Sequence, residues 1–227
     1  MAIVTGASRG IGRATARRLA EAGARVSVIA RRGELLQELV ASSPERFHAI
    51  EGDVSREEDV ERLFSETESR FGPCTMLVNN AGTIDPKPLV EVSRKEWDEM
   101  FAVNVTGTFL TIRRAIPLML SIGRGSIVNV ASISGVAGPQ KFPGFVSYCA
   151  SKAAVIMLTE SLAAELRDTP LRINAVSPGS VDTEMWSKAS GGAPADMTPE
   201  EIAESIFFLL TAVSRPVNGQ NLHVYGP

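Results

Sequence analysis

Short β-branched and apolar runs recur along the chain with amphipathic stretches between them, and this alternation predicts the architecture. The strand runs lie at Ala2–Thr5, Arg25–Ala30, Phe47–Glu51, Thr75–Asn79, Gly125–Ala131, Leu171–Val176 and Asn221–Val224. Several, such as MLVNN, SIVNVAS and RINAV, are almost continuously apolar rather than alternating. Such runs suit strands covered on both faces, which predicts a mostly parallel sheet of seven strands with helices on each side. The stretches between carry helix signals. Ser55-Arg-Glu-Glu58, Ser93-Arg-Lys-Glu96 and Thr198-Pro-Glu-Glu201 each match a capping box, in which a hydroxyl and a carboxylate satisfy orphan N–H groups reciprocally. Strands and helices in this order, joined by right-handed crossovers, predict a single doubly wound α/β domain over residues 1–227. The stretch 184–197, EMWSKASGGAPADM, has no period. It is expected to be a loop, either a substrate lid or a plain surface connection.

Composition narrows the function classes. Of 227 residues, 44% are apolar and 22% charged, as in ordinary globular proteins. The net charge of −3, with no Lys/Arg stripe, argues against nucleic acid as a partner. No apolar run reaches the length of a membrane span. The opening MAIVTGASRG reaches glycine too early for a secretory leader. Cys74 and Cys149 are the only cysteines, too few for a disulfide framework, so a cytoplasmic location is expected. His48 and His223 share no ligand spacing, and no metal site is expected.

Directly after the first strand run comes Thr5-Gly6-Ala7-Ser8-Arg9-Gly10-Ile11-Gly12, followed by the helical RATARRLAEAG. Gly6 can take backbone angles that other residues avoid, Gly10 lets a ligand approach closely, and Gly12 permits tight helix–strand packing. The helix N-terminus offers unpaired N–H groups suited to a pyrophosphate. Gly6-Ala7-Ser8-Arg9-Gly10 also matches G-x-S-x-G, the nucleophile elbow of hydrolases. Its position after a single strand disfavours that reading.

Further motifs follow in order: Asn79-Asn80-Ala81-Gly82, Asn104 in FAVNVTGTF, Ser132 in VNVASISG, Tyr148-Cys-Ala-Ser-Lys152, and Pro178-Gly179-Ser-Val181-Asp-Thr183. Tyr148 and Lys152 stand four apart in a helical stretch and so share one face. A nearby ammonium favours the phenolate and brings a phenol of pKa about 10 nearer to working range. Together with the glycine turn, this set resembles the short-chain dehydrogenase/reductase family, most of all its 3-oxoacyl-(acyl-carrier-protein) reductase-type members. The resemblance runs from Met1 to Pro227.

That resemblance implies a Rossmann fold and an oxidoreductase that moves hydride between a nicotinamide and a carbonyl or secondary alcohol. Small ketones or carrier-bound 3-oxoacyl thioesters are the implied substrates. Tyr148 would exchange the proton with the substrate oxygen, and Ser132 would hydrogen-bond that oxygen, with Ser134 as a minor rival. Lys152 would hold the ribose and lower the Tyr148 pKa, and Asn104 would help to bind a proton-relaying water. The cofactor would lie on Gly6, Ser8, Arg9, Gly10, Ile11, Gly12, Arg31, Arg32, Asp53, Val54, Asn80, Ala81, Gly82, Tyr148, Lys152, Pro178, Gly179, Val181 and Thr183. Two departures from typical relatives stand out: a longer segment between Ser132 and Tyr148, containing PQKFPGF, and a shorter lid.

NAD-using relatives carry an acid at the end of the second strand to accept from the ribose hydroxyls. Here Ala30 stands there, followed by Arg31 and Arg32, with Arg9 in the glycine turn. Guanidinium groups suit a phosphate dianion, so NADP(H) is expected over NAD(H). The other reading of Arg31 and Arg32 is a solvated helix start. A homotetramer, or failing that a homodimer, is expected from the family habit of pairing long helices, here within Ser93–Leu120 and Ser147–Leu166. A non-catalytic dinucleotide sensor on the same fold is the alternative function.

Overall fold

The computed structural model describes residues 1–138 and 141–226. Seven strands form one sheet: β1 (Ala2–Thr5), β2 (Val26–Ala30), β3 (Phe47–Glu51), β4 (Met76–Asn79), β5 (Gly125–Val130), β6 (Leu171–Pro178) and β7 (Asn221–Val224). Their order is β3-β2-β1-β4-β5-β6-β7, and every pairing is parallel. The sheet is thus wholly rather than mostly parallel. β6 runs two residues beyond its apolar run because β7 pairs with it as far as Pro178 and Val224.

The strands bury both faces, as their continuous apolar runs require. Ala2 and Val4 of β1 face one layer and Ile3 the other. The first layer holds α1 (Gly10–Glu21), α2 (Gly33–Ser42) and α8 (Pro199–Leu210), which contribute Leu19, Leu36, Leu39 and Ile206 to one core. The second holds α3 (Glu57–Phe71), α5 (Gly107–Ser121) and α6 (Val146–Glu165), where Leu63, Phe64, Ile112 and Met119 pack. Ahead of α5, a short α4 (Arg94–Phe101) passes into a π-helical turn at Ala102–Thr106 and continues without a break. π-turns insert one extra residue into a helix and often mark functional positions.

Two of the three capping boxes form, at Ser93/Glu96 of α4 and Thr198/Glu201 of α8. The Ser55 box does not. Asp53 accepts both the Ser55 N–H (2.9 Å) and its hydroxyl (2.8 Å), so that hydroxyl is spent on a turn, and α3 starts at Glu57 without a side-chain cap. The stretch 184–197 is likewise not a plain loop. It contains α7 (Glu184–Ser190), capped by Thr183, whose hydroxyl accepts from the Trp186 N–H, and ended by Gly191 in the left-handed region.

Candidate active site

Chain order reverses at β1, which has β2 on one side and β4 on the other. In open α/β sheets the crevice at such a switch point, beyond the carboxyl ends of the strands, is where ligands bind. A cleft of about 960 Å³ opens there. Gly6 (φ +66°) and Gly10 (φ +55°) turn the chain out of β1 into α1. A Cβ on Gly6 would come within 2.7 Å of the Ala81 Cα, and one on Gly12 would run into the Asn80 amide and the Gly6 carbonyl. The turn is therefore held against the end of β4. Asn80 donates to the Thr5 (3.0 Å) and Gly6 (3.1 Å) carbonyls, while the Thr5 hydroxyl accepts from the Asn80 and Ala81 N–H groups.

All but two of the residues expected to serve catalysis or cofactor binding line this cleft. The exceptions are Gly12, which packs beneath the turn, and Asn104. The Asn104 side chain lies in the π-turn, 1% exposed. Its carbonyl oxygen accepts from the Thr83 N–H (2.7 Å), and its amide donates to the Thr83 carbonyl and the Ser151 hydroxyl (both 3.0 Å). The side chain thus clamps the chain after β4 to α6 at Ser151, the residue just before Lys152.

Tyr148 and Lys152 stand on the buried face of α6. Ser132, just past β5, faces the phenol, whereas Ser134 donates its N–H to the Ser132 hydroxyl (3.1 Å). Burial pushes the Tyr148 phenol up to about 12, against the pull of its hydrogen bond with Ser132. Lys152 donates to the Val130 carbonyl (2.8 Å), and its ammonium lies 5.7 Å from the Tyr148 ring centre. Burial brings that ammonium down to about 8. The phenol has thus moved away from the neutral range, not towards it as the Tyr148–Lys152 spacing predicts. Burial dominates, and the Lys152 ammonium is turned to the Val130 carbonyl and does not lower the phenol pKa.

The far end of the cleft carries Arg9, Arg31 and Arg32. Burial and then the charges of Arg32 and Arg31 hold the Arg9 guanidinium below its ordinary basicity. Packed cations of this kind suit an anion, and the glycine turn leaves room for a backbone-bound pyrophosphate, so the cleft fits a nicotinamide dinucleotide.

Sequence reasoning missed the apolar wall of the cleft. Ile84, Phe142, Phe145, Met185 and Trp186 wall the cleft beside Tyr148, with edge or tilted contacts linking Trp186, Phe142, Phe145 and Tyr148. Met185 and Ala189, four apart on α7, were the available signal. The long segment before Tyr148 supplies Phe142 and Phe145; its Pro139 and Gln140 lie outside the described residues.

Fold and site together define a dinucleotide-binding oxidoreductase domain. The chain belongs to the short-chain dehydrogenase family, whose model matches residues 1–193. It is 35% identical over 240 aligned positions to a 3-oxoacyl-(acyl-carrier-protein) reductase of Staphylococcus epidermidis, covering 99% of this chain and 97% of that protein. A short-chain type dehydrogenase/reductase of Picea abies is 40% identical, covering 100% and 91%. The crystal structure of a 3-ketoacyl-ACP reductase from Sinorhizobium meliloti superposes with a TM-score of 0.89 at 33% identity, covering 99% and 97%. The protein is an oxidoreductase acting on CH–OH or carbonyl groups. Among the described residues no helix is long and apolar enough to cross a membrane.

Proposed function

We propose that the protein is an NADP(H)-dependent reductase of carbonyl compounds with an apolar substituent, 3-oxoacyl thioesters among them. One observation carries the reading: Ser132, Tyr148 and Lys152 meet in a cleft whose other end gathers three arginines and no strand-end acid. The dinucleotide, when bound, supplies or accepts the hydride. In the reducing direction Ser132 donates a hydrogen bond to the carbonyl oxygen and orients it. Tyr148 then gives its hydroxyl proton to the oxygen as negative charge develops there. Lys152 holds the ribose hydroxyls, and its charge steadies the phenolate left behind. Asn104 acts at one remove, fixing α6 against the chain after β4.

The aromatic wall excludes water and favours an apolar acyl or alkyl group beside the reacting carbon. Names of the relatives support a thioester of an acyl carrier as one such substrate. No feature of the cleft favours the sensor alternative.

The test is a panel of 3-oxoacyl thioesters and simple ketones assayed with both reduced cofactors, with dissociation constants measured in parallel. NADPH is expected to bind about tenfold or more tightly than NADH, the size of a charge-assisted phosphate contact. Arg31→Asp should shrink or invert that preference. Equal dissociation constants would refute the cofactor assignment, and NADPH binding without turnover of any substrate would refute the catalytic one.

A further inference from the structure

The arginine end of the cleft already holds an anion from the chain itself. Glu184 opens α7, and its carboxylate forms ion pairs with both Arg9 and Arg32. Arg31, beside them, has no ion pair among the described residues. The start of α7 is docked on the glycine turn, since the Thr183 methyl stands 3.1 Å from where a Cβ on Gly10 would sit. Further along, Lys188 donates to Asp85 (3.0 Å), on the chain after β4. The lid helix is therefore tied across the cleft by an ion pair near each end. Between the ties, Trp186 leans on Phe142 and donates its indole N–H to the Ala193 carbonyl (2.9 Å).

We infer that Glu184 is an internal competitor for the 2′-phosphate seat: it holds the lid helix on Arg9 and Arg32 until a 2′-phosphate displaces it. The inference rests on the NADP(H) reading above. Glu184 is 62% exposed and its partners are nearly half exposed, and ion pairs in such surroundings contribute little and exchange easily. A phosphate brings about two negative charges and three acceptor oxygens to the same guanidinium groups, against one charge on the carboxylate. It wins the seat, and the expelled carboxylate takes the first turn of α7 with it. A dinucleotide without the 2′-phosphate leaves the tie in place. Glu184 thus lowers affinity for the phosphorylated cofactor alone and links recognition of that phosphate to movement of a substrate-pocket wall.

The test uses adenosine 2′,5′-bisphosphate and adenosine 5′-monophosphate, which carry no nicotinamide, and reads Trp186 emission in a Trp97→Phe background, where it is the remaining tryptophan. The bisphosphate is expected to shift the emission and the monophosphate to leave it unchanged. Glu184→Gln should bind the bisphosphate about three- to tenfold more tightly, the worth of one or two exposed ion pairs, and the monophosphate within about twofold. Its emission should start near the displaced value. Lys188→Ala, which cuts the other tie, should affect both nucleotides alike. If the unmodified protein binds the two nucleotides equally, the NADP(H) reading falls and this inference with it. If it prefers the bisphosphate but Glu184→Gln leaves that preference unchanged, the inference alone is overturned.

Discussion

Lys152 is buried, and its hydrogen bond runs to an uncharged carbonyl at Val130. Lowering its pKa from 10.5 to about 8 means that holding the charge at pH 7 costs the ligand-free fold about 3 kcal/mol. The folded value lies below the unfolded one. As pH rises from about 8 towards 10.5, the unfolded chain therefore binds more protons than the folded one, and stability increases. Lys152→Met should melt above the unmodified protein at pH 7, with the gap narrowing by about pH 9.5; calorimetry showing the same gap at both values would contradict this. Tyr148, pushed up to about 12, stays protonated through the neutral range and is ready to act as an acid. Tyr148→Phe keeps the ring and its packing, so dinucleotide binding should remain within a few fold while turnover falls by about 10²–10⁴. Lys152→Ala should lose both. A Tyr148→Phe protein retaining more than about a tenth of the activity would place the proton donor elsewhere. The Tyr148–Lys152 spacing and the glycine turn were legible because each depends on a few adjacent residues. The commitment of the Asn104 side chain to Thr83 and Ser151 was not, because both partners are brought to it by the fold.

Elements were legible where local chemistry decides them. The Thr198/Glu201 box formed as read, and α8 behind it packs on α1, with Arg18 over the Phe207 ring (3.6 Å) and ion-paired to Glu204 (2.5 Å). Thr198→Ala should cost about 1 kcal/mol in urea unfolding, with little effect on cofactor affinity, since α8 does not line the cleft; a cost near zero would show the cap to be redundant. The Ser55 box was misread because capping and turn formation draw on the same hydroxyl, and Asp53, two residues earlier, takes it first. In α7 the signals were present, with Thr183 before the helix and Gly191-Gly192 after it. Seven residues give too few turns for a period to emerge from a sequence rich in glycine, proline and serine. The helix owes its place to what it lands on: Met185 and Ala189 against the Tyr148 cluster, and Glu184 and Lys188 on charges from distant parts of the chain.

Beyond one chain, α5 and α6 leave apolar groups on the surface. Phe109 and Leu120 are exposed on α5, and Val146 and Met157 on α6, where Ala153 and Ala164 keep the exposed face low. Phe208, Val213, Leu222 and Tyr225 form a second exposed apolar group around α8 and β7. We propose that each face meets its own copy across a two-fold axis, which would build a tetramer. Light scattering at micromolar concentration should return four times the chain mass, and a monomer mass would refute the assignment. The π-turn at Ala102–Thr106 gains a meaning in that setting. Each residue of a regular helix advances it by about 100°, and the wider π-turn takes up its extra residue locally, so α5 keeps the phase it would have without that residue. In that phase Leu110, Thr111 and Met119 point inward, Thr111 reaching the Asn79 side chain (2.6 Å), while Phe109 and Leu120 point outward. Deleting one residue within this turn would close it into a regular α-turn and leave both stripes of α5 facing as they do. A deletion further along α5 would instead roll the residues on its two sides against each other by about 100° and carry one stripe out of place. A single-codon deletion in the body of α5 is thus a change of assembly and of core at once, whereas the π-turn is where this helix can lose a residue and keep both.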